Sequence, residues 1–93
     1  MLPEVSIELQ RVVQRWRQLP LERAFSRTGH VRRLVQSLAD QAAQATAVRP
    51  SVVPDCGPAT LMDQLTVMVY DASGAALTST LARDLASLRV RLG

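Results

Sequence analysis

Residues 49–58, RPSVVPDCGP, interrupt a chain that is otherwise rich in Ala, Leu, Val, Arg and Gln. The segment contains three of the five prolines, the only cysteine and one of the four glycines. The prolines at 50 and 54 force extended backbone on the residues before them, so a helix or central strand is disfavoured here. Pro58 suits the first position of a new helix, after a cap at Asp55 or Gly57. The segment therefore predicts an extended connector over residues 48–57, and not an active-site loop.

Two helices are predicted before the connector, because apolar side chains recur there at every third or fourth position. The first covers residues 3–18 and has the stripe Val5, Leu9, Val12, Val13, Trp16. The second covers residues 20–46, beginning at the sharp corner that Pro20 imposes. Its stripe keeps its phase through Gly29, which favours one long helix over two short ones: Leu21, Phe25, Thr28, Val31, Leu34, Val35, Leu38, Ala42, Ala45.

The second helix is predicted to be longer than its neighbours. At about 1.5 Å per residue it spans about 40 Å, while the other helices are nearer 24 Å. One end of it should then lack a partner within the chain. Its far end, residues 38–47 (LADQAAQATA), is rich in Ala and would let another helix approach closely.

Two further helices are predicted after the connector. Residues 58–72 carry the stripe Leu61, Leu65, Met68, Val69, Ala72. Residues 75–92 carry leucines at alternating four- and three-residue steps, typical of a buried seam: Leu77, Leu81, Leu85, Leu88, Leu92. This last helix begins nearer 81 if Ser79 or Thr80 is its cap. The segment LTVMVYD (65–71) favours a strand and DASG (71–74) a turn, so an α+β fold with a short hairpin at 65–80 stays open as an alternative.

These elements predict one small all-α domain over residues 1–93. The predicted fold is a four-helix bundle of two antiparallel hairpins, joined by the connector, with the second helix longest. The core should be aliphatic, because Trp16, Phe25 and Tyr70 are the only aromatic residues.

The charge is uneven along the chain. The net charge is +3 and all eleven basic residues are Arg. The first 49 residues have eight Arg and four acids (+4), and the remainder has three Arg and four acids (−1). Such a basic half favours an acidic partner or nucleic acid. The absence of Lys and Asn indicates a GC-rich, bacterial genome.

The sequence predicts a soluble cytoplasmic protein. A single cysteine cannot form an internal disulfide, which suits a reducing compartment. The N-terminal MLPEVSIELQ lacks the basic start and apolar run of a signal peptide. No apolar run reaches the roughly 20 residues that span a bilayer.

No catalytic, cofactor-binding or metal-binding residue is predicted. Cys56 and His30 are the only cysteine and histidine, and nothing in their spacing brings them together as a catalytic pair or a zinc site. Asp63 and Asp71 would lie two turns apart on one helix, too far for a close acid–base pair. No phosphate-binding glycine loop is present. We expect Cys56 to be an inert, partly buried thiol.

Partner binding is predicted instead, through an arginine-rich flank of the second helix and one aromatic residue on the third. The residues are Arg23, Arg27, His30, Arg33 and Tyr70. The function predicted is a non-enzymatic interaction or adaptor module that associates with itself or belongs to a complex. The alternative is a nucleic-acid-binding protein that uses the same flank. For this alternative, residues 25–38 (FSRTGHVRRLVQSL) can be interpreted as a helix-turn-helix with its turn at Gly29.

Overall fold

The computed structural model describes residues 2–49, 51–74 and 80–93. Four α-helices are present in these ranges: α1 (Pro3–Gln18), α2 (Leu21–Ala45), α3 (Leu61–Gly74) and α4 (Leu81–Leu92). A short 3₁₀ turn, Pro58–Thr60, precedes α3. The described ranges contain no strand, so the all-α fold is confirmed and the strand alternative is wrong for residues 65–74. Residues 75–79, predicted as the start of the last helix, lie outside the described residues.

Proline and local hydrogen bonds define where α1 and α2 begin and end. Pro3 occupies the first turn of α1, where its missing N–H needs no partner. α2 begins directly after Pro20 and runs without a break through Gly29, which confirms one long helix. A helix-turn-helix with its turn at Gly29 is therefore wrong, because the hydrogen-bonded α-helix continues across that residue.

The C-terminus of α2 is closed by a Schellman motif. The N–H of Val48 donates to the carbonyl of Ala43 (2.9 Å), and the N–H of Ala47 donates to that of Gln44 (3.3 Å). Ala47 has a φ of 57°, the left-handed conformation in which glycine is usual. The chain can then reverse its direction and run back along α2.

The connector lies along α2 and is held there by side chains. The Gln36 side chain accepts from the Val53 N–H (2.8 Å) and donates to the Ser51 carbonyl (3.0 Å). Further along the connector, Asp55 pairs with Arg32, one turn earlier in α2. The connector thus runs from the C-terminal part of α2 toward its N-terminal part.

This path makes α3 run parallel to α2. Gln64, near the start of α3, borders a groove with residues 32–36, and Tyr70 and Gly74, near its end, border another with residues 42–46. The ten residues from 48 to 57 can span about 33 Å when extended, enough for the chain to return from the end of α2 to the level of Arg32. Residues 51–57 form neither helix nor strand, and their contacts with α2 lead the chain back to the start of α3.

α1 and α4 also run parallel. The Arg89 guanidinium on α4 donates to Glu8 on α1 (3.4 Å), and Arg15, two turns further along α1, donates to the carbonyl of Gly93. Because only Leu19 and Pro20 separate α1 from α2, the C-terminal end of α4 lies by the N-terminal end of α2. α4 therefore runs opposite to α2.

The extensive helix contacts are α1 with α4, α2 with α3, and α2 with α4. The two helices of each predicted hairpin, α1 with α2 and α3 with α4, run in opposite directions, whereas α2 and α3 run parallel. Extensive packing, however, does not occur within the hairpins α1–α2 and α3–α4 in the described residues. α3 packs on α2 because the connector returns along α2. α1 and α2 separate because the chain turns sharply at Pro20.

A single aliphatic cluster fills the space between the helices. Nearly all of it belongs to the predicted stripes, and it comprises Val5, Leu9, Val12, Leu19, Ala24, Val31, Val35, Leu38, Leu61, Leu65, Val69, Ala72, Leu81, Leu85, Leu88 and Leu92. The stripe of α2 needs a correction at its ends: Leu21 and Phe25 are 72% and 55% exposed, and Ala45 is also exposed. α2 is 25 residues long and α3 and α4 are 14 and 12, so its terminal turns extend beyond them.

Candidate functional site

A groove of about 330 Å³ separates α2 from α4. Residues spaced three and four apart line it on both helices, because this spacing places side chains on one helix face. They are His30, Arg33, Leu34 and Ser37 on α2, and Asp84, Ser87, Leu88 and Arg91 on α4. Since the two helices are antiparallel, Arg91 lies toward the His30 end and Asp84 toward the Ser37 end.

Two guanidinium groups in this groove have no carboxylate partner among the described residues. Arg33 and Arg91 are both exposed, and the ion pairs in the described ranges involve Arg11, Arg32 and Arg89 instead. Asp84 also borders the groove, but one of its oxygens accepts a hydrogen bond from the Thr80 hydroxyl (3.1 Å). The His30 end of the groove therefore has excess positive charge.

The half-buried side chains of Arg27 and His30 each contain a buried nitrogen without a partner. They are Nε of Arg27 and Nδ1 of His30, and neither has a hydrogen-bond partner among the described residues. Buried polar atoms without partners are uncommon in folded proteins. The two side chains lie one turn apart on α2, so this part of the helix has unused hydrogen-bonding capacity beside the groove.

Two of the five predicted partner-binding residues, His30 and Arg33, are brought together in the groove. Arg23 is exposed on the turn before Arg27, and neither borders the groove. Tyr70 lies on another surface: it is 62% exposed on α3 and borders a groove with the C-terminal turns of α2. The predicted set thus divides between the α4 side and the α3 side of α2.

Sequence reasoning missed the contribution of α4 to this site. Ser87 and Arg91 follow Asp84 at three- and four-residue steps on the polar side of the last helix, which looks like an ordinary solvated face. Ser87 and Arg91 lie near Arg33 only because α4 is the helix that packs against this side of α2. The only available signal was that Arg91 is one of three arginines after residue 49.

Cys56 is a free, exposed thiol in the connector, so the prediction that it is partly buried is wrong. The neighbouring Asp55 pairs with Arg32 on the connector side of α2, whereas His30 faces α4. Cysteine and histidine therefore lie on different sides of one helix, and the structure does not assemble them into a catalytic pair. The N–H of Gly57 donates to Asp55 (3.0 Å). This bond, followed by Arg32, lowers the pKa of Asp55 below its ordinary value.

Within residues 2–49, 51–74 and 80–93, no three His, Cys, Asp or Glu side chains are grouped to hold a metal ion. None of the helices in those ranges combines the length and the apolar character that crossing a membrane requires. Comparison with models of protein families, with curated proteins and with solved structures finds no match.

Proposed function

We propose that this chain is a non-enzymatic helical interaction module, which docks a partner protein or a second copy of itself on the outer face of α3. The observation that carries this proposal is the exposure of Val67 (52%) and Tyr70 (62%) on that helix. The opposite face of α3 is buried through Leu61, Leu65 and Val69. A helix at the surface of a monomer normally has polar residues on its outer side.

Val48 adds to this exposed apolar surface. It is 60% exposed, and it borders a groove of about 510 Å³ together with Tyr70 and the small residues Ala42 and Ala43. We call Val48, Val67 and Tyr70 the outer patch. Single exposed apolar residues are ordinary, but grouped ones mark interaction sites. Tyrosine is also among the side chains that contribute most to binding energy at interfaces.

The charges beside the outer patch indicate what kind of surface would bind there. Asp63 and Asp71 are exposed on the same helix. If two copies met symmetrically through α3, these carboxylates would face one another, which disfavours that arrangement. A surface with arginine or lysine beside apolar side chains fits better. In a second copy, the arginines of α2 would supply such charges.

A second exposed apolar pair supports the same function. Leu21 and Phe25 lie one turn apart on the first turns of α2, which extend beyond the neighbouring helices. An overhanging end of this kind gives a partner helix a place to pack. We also propose a cytoplasmic location, because a reducing compartment would preserve the exposed thiol of Cys56.

The test replaces Tyr70 by Glu and measures both self-association and partner contact. Sedimentation equilibrium over a wide concentration range gives the mass in solution, and a photo-reactive amino acid at position 70 captures whatever lies against the patch in the native cell. We expect one cross-linked product of defined mass and about tenfold weaker association for Tyr70→Glu, because a charge replaces a buried aromatic contact.

Val90 provides the matched control, because it is 71% exposed on the outer side of α4. Val90→Glu should leave association unchanged, and a photo-reactive residue at position 90 should capture nothing specific. A strict monomer at every concentration, together with identical cross-linking at positions 70 and 90, would refute the proposal.

Nucleic-acid binding is the second candidate function. The observation that favours it is the succession of Arg23, Arg27 and Arg33 on one helix, none of which has an ion-pair partner among the described residues. Such a flank can neutralise phosphates of a nucleic-acid backbone. An oligonucleotide affinity that weakens steeply with salt and falls in Arg27→Ala would support it, and no binding at low salt would exclude it.

A further inference from the structure

We infer that the groove between α2 and α4 binds a single phosphate group through Arg33 and Arg91. This inference goes beyond the docking function proposed for α3, and it uses a different surface. Arg33 and Arg91 belong to facing helices, border the same groove, and have no carboxylate partner among the described residues. An oxyanion held between two guanidinium groups accepts several charge-assisted hydrogen bonds.

His30 and Ser87 add polar groups around the same position. The ring of His30 borders the groove, and its Nδ1 lacks a partner. Ser87 lies one turn before Arg91 on α4, and its hydroxyl can donate to an oxyanion near the two arginines, whereas Ser37 lies at the Asp84 end of the groove. The groove thus offers donors on both walls, as a bound phosphate requires.

Asp84 borders the groove as well and determines where an anion can lie. Along α4, Asp84 and Arg91 are seven residues apart, which is about 10 Å of helix rise. Because α2 and α4 are antiparallel, Asp84 lies toward Ser37, and the arginine that α4 contributes lies toward His30. The repulsion from the carboxylate therefore acts mainly at the far end, and we place the phosphate at the His30 end.

The floor of the groove indicates what the rest of the ligand is like. Leu34 and Leu88 lie between the charged residues, Leu34 half-buried and Leu88 almost completely buried. The groove, at about 330 Å³, has room for more than the phosphate group. A phosphomonoester with a small apolar or cyclic portion would place the phosphate on the arginines and the remainder over the leucines.

The test titrates the protein with inorganic phosphate and with phenyl phosphate, followed by amide chemical shifts in NMR, with chloride used to keep the ionic strength constant. We expect shifts centred on His30, Arg33, Ser87 and Arg91. For so small a ligand, a Kd on the order of 1 mM is expected for inorganic phosphate. Phenyl phosphate should bind more tightly, because its ring covers Leu34 and Leu88.

Three variants distinguish specific phosphate binding in the groove from a general electrostatic effect of the protein's net charge. Arg33→Gln and Arg91→Gln remove guanidinium groups from the groove and should each weaken phosphate binding about tenfold. Arg83→Gln changes the net charge by the same amount on an exposed residue of α4 that does not border the groove. It should leave the affinity within about twofold. All three positions are exposed, so the variants should fold.

The pattern of shifts in the wild type and the three variants decides whether the groove binds phosphate. Shifts at the groove that Arg33→Gln and Arg91→Gln reduce and Arg83→Gln leaves unchanged would support the site. No shifts with either phosphate compound, or an equal loss in all three variants, would overturn it. If an oligonucleotide shifts Arg23 and Arg27 while neither phosphate compound shifts the groove residues, the phosphate contacts belong to the arginine flank of α2, and the groove site is likewise overturned.

Discussion

Gly57 and Gly29 differ in whether their backbone conformation requires a glycine. Gly57 has φ 89° and ψ 165°, a conformation that is almost confined to glycine. Gly29 lies in the middle of α2, where helical angles suit any residue except proline. A Cβ placed on either glycine would meet nothing within 4 Å. The effect of replacing them therefore depends on the backbone alone.

We predict that Gly57→Ala destabilises the protein by about 1–3 kcal/mol, because alanine is strained at this φ. Gly29→Ala should stabilise it by about 0.5–1 kcal/mol, since it removes conformational freedom from the unfolded chain. Urea unfolding of both variants beside the wild type measures the two effects. Equal effects of the same sign at both positions would show that residue 57 does not have this positive φ in the folded protein.

Two single residues also show that apolar character and helical spacing do not by themselves predict burial. Leu21 and Phe25 continue the apolar stripe of α2 in phase, yet both are exposed. Periodicity identifies the side of a helix that faces the core, and it does not report how far along that side the neighbouring helices extend. Exposure at the end of a long helix depends on the lengths of its neighbours.

At the scale of the element, the connector is the segment whose interactions determine the path of the chain. Its backbone groups are partnered by side chains of the helices beside it, as the Gln64 amide that donates to the Pro54 carbonyl illustrates (2.9 Å). Gln36 and Arg32 hold two other points of the connector to α2. An extended segment without strand partners needs such side chains to satisfy its backbone.

Asp55 makes the stability of the connector depend on pH. The Gly57 N–H and Arg32 favour the ionised carboxylate, so the folded-state pKa is below the unfolded one. The resulting contribution to the free energy of unfolding is present above about pH 4 and is lost as pH falls through the folded pKa. Because Asp55 is exposed, the contribution is small.

We predict that Asp55→Asn lowers stability at about pH 6 and that its difference from the wild type shrinks by about pH 3, as the wild-type carboxyl becomes protonated. Urea unfolding at the two pH values measures this. Asp63→Asn is the matched control, because Asp63 is exposed and has no ion-pair partner among the described residues. A constant difference between wild type and Asp55→Asn at both pH values would contradict the role of the carboxylate.

At the scale of the whole molecule, two parallel helix pairs are joined along one antiparallel contact. The pairs are α1 with α4 and α2 with α3, and the contact of α2 with α4 links them. The resulting Cα envelope is flat, about 39 × 28 × 16 Å. Since the buried apolar residues in the described part of the chain form one cluster, the two pairs should unfold together.

We predict that Leu85→Ala destabilises the whole protein by about 2–5 kcal/mol and keeps a single unfolding transition. Leu85 is fully buried on α4, so its truncation removes apolar contacts and leaves a cavity in the shared core. Leu21→Ala removes the same atoms at a position that is 72% exposed and should change stability by less than about 0.5 kcal/mol. Circular dichroism during urea unfolding compares them. Two separate transitions in the wild type would show that the pairs fold independently.

Only part of the candidate site was predictable, and the reason differs from residue to residue. Arg33 and His30 could be recognised because they lie on one flank of a single helix, and helical spacing alone places them together. Arg91 could not be recognised, because its partners belong to an element 54 or more residues away in the sequence. Tyr70 lies on the exposed side of α3, on a surface separate from the arginines.

The sequence by itself determined the four helices, the aliphatic core positions and the extended connector. Each follows from side chains a few residues apart and from the fixed backbone angle of proline. Only the tertiary structure decided that α2 lies parallel to α3, that α4 closes the arginine groove, and that Leu21 and Phe25 remain exposed. Those outcomes depend on which apolar faces meet across long stretches of chain, and many pairings of four similar stripes bury comparable area.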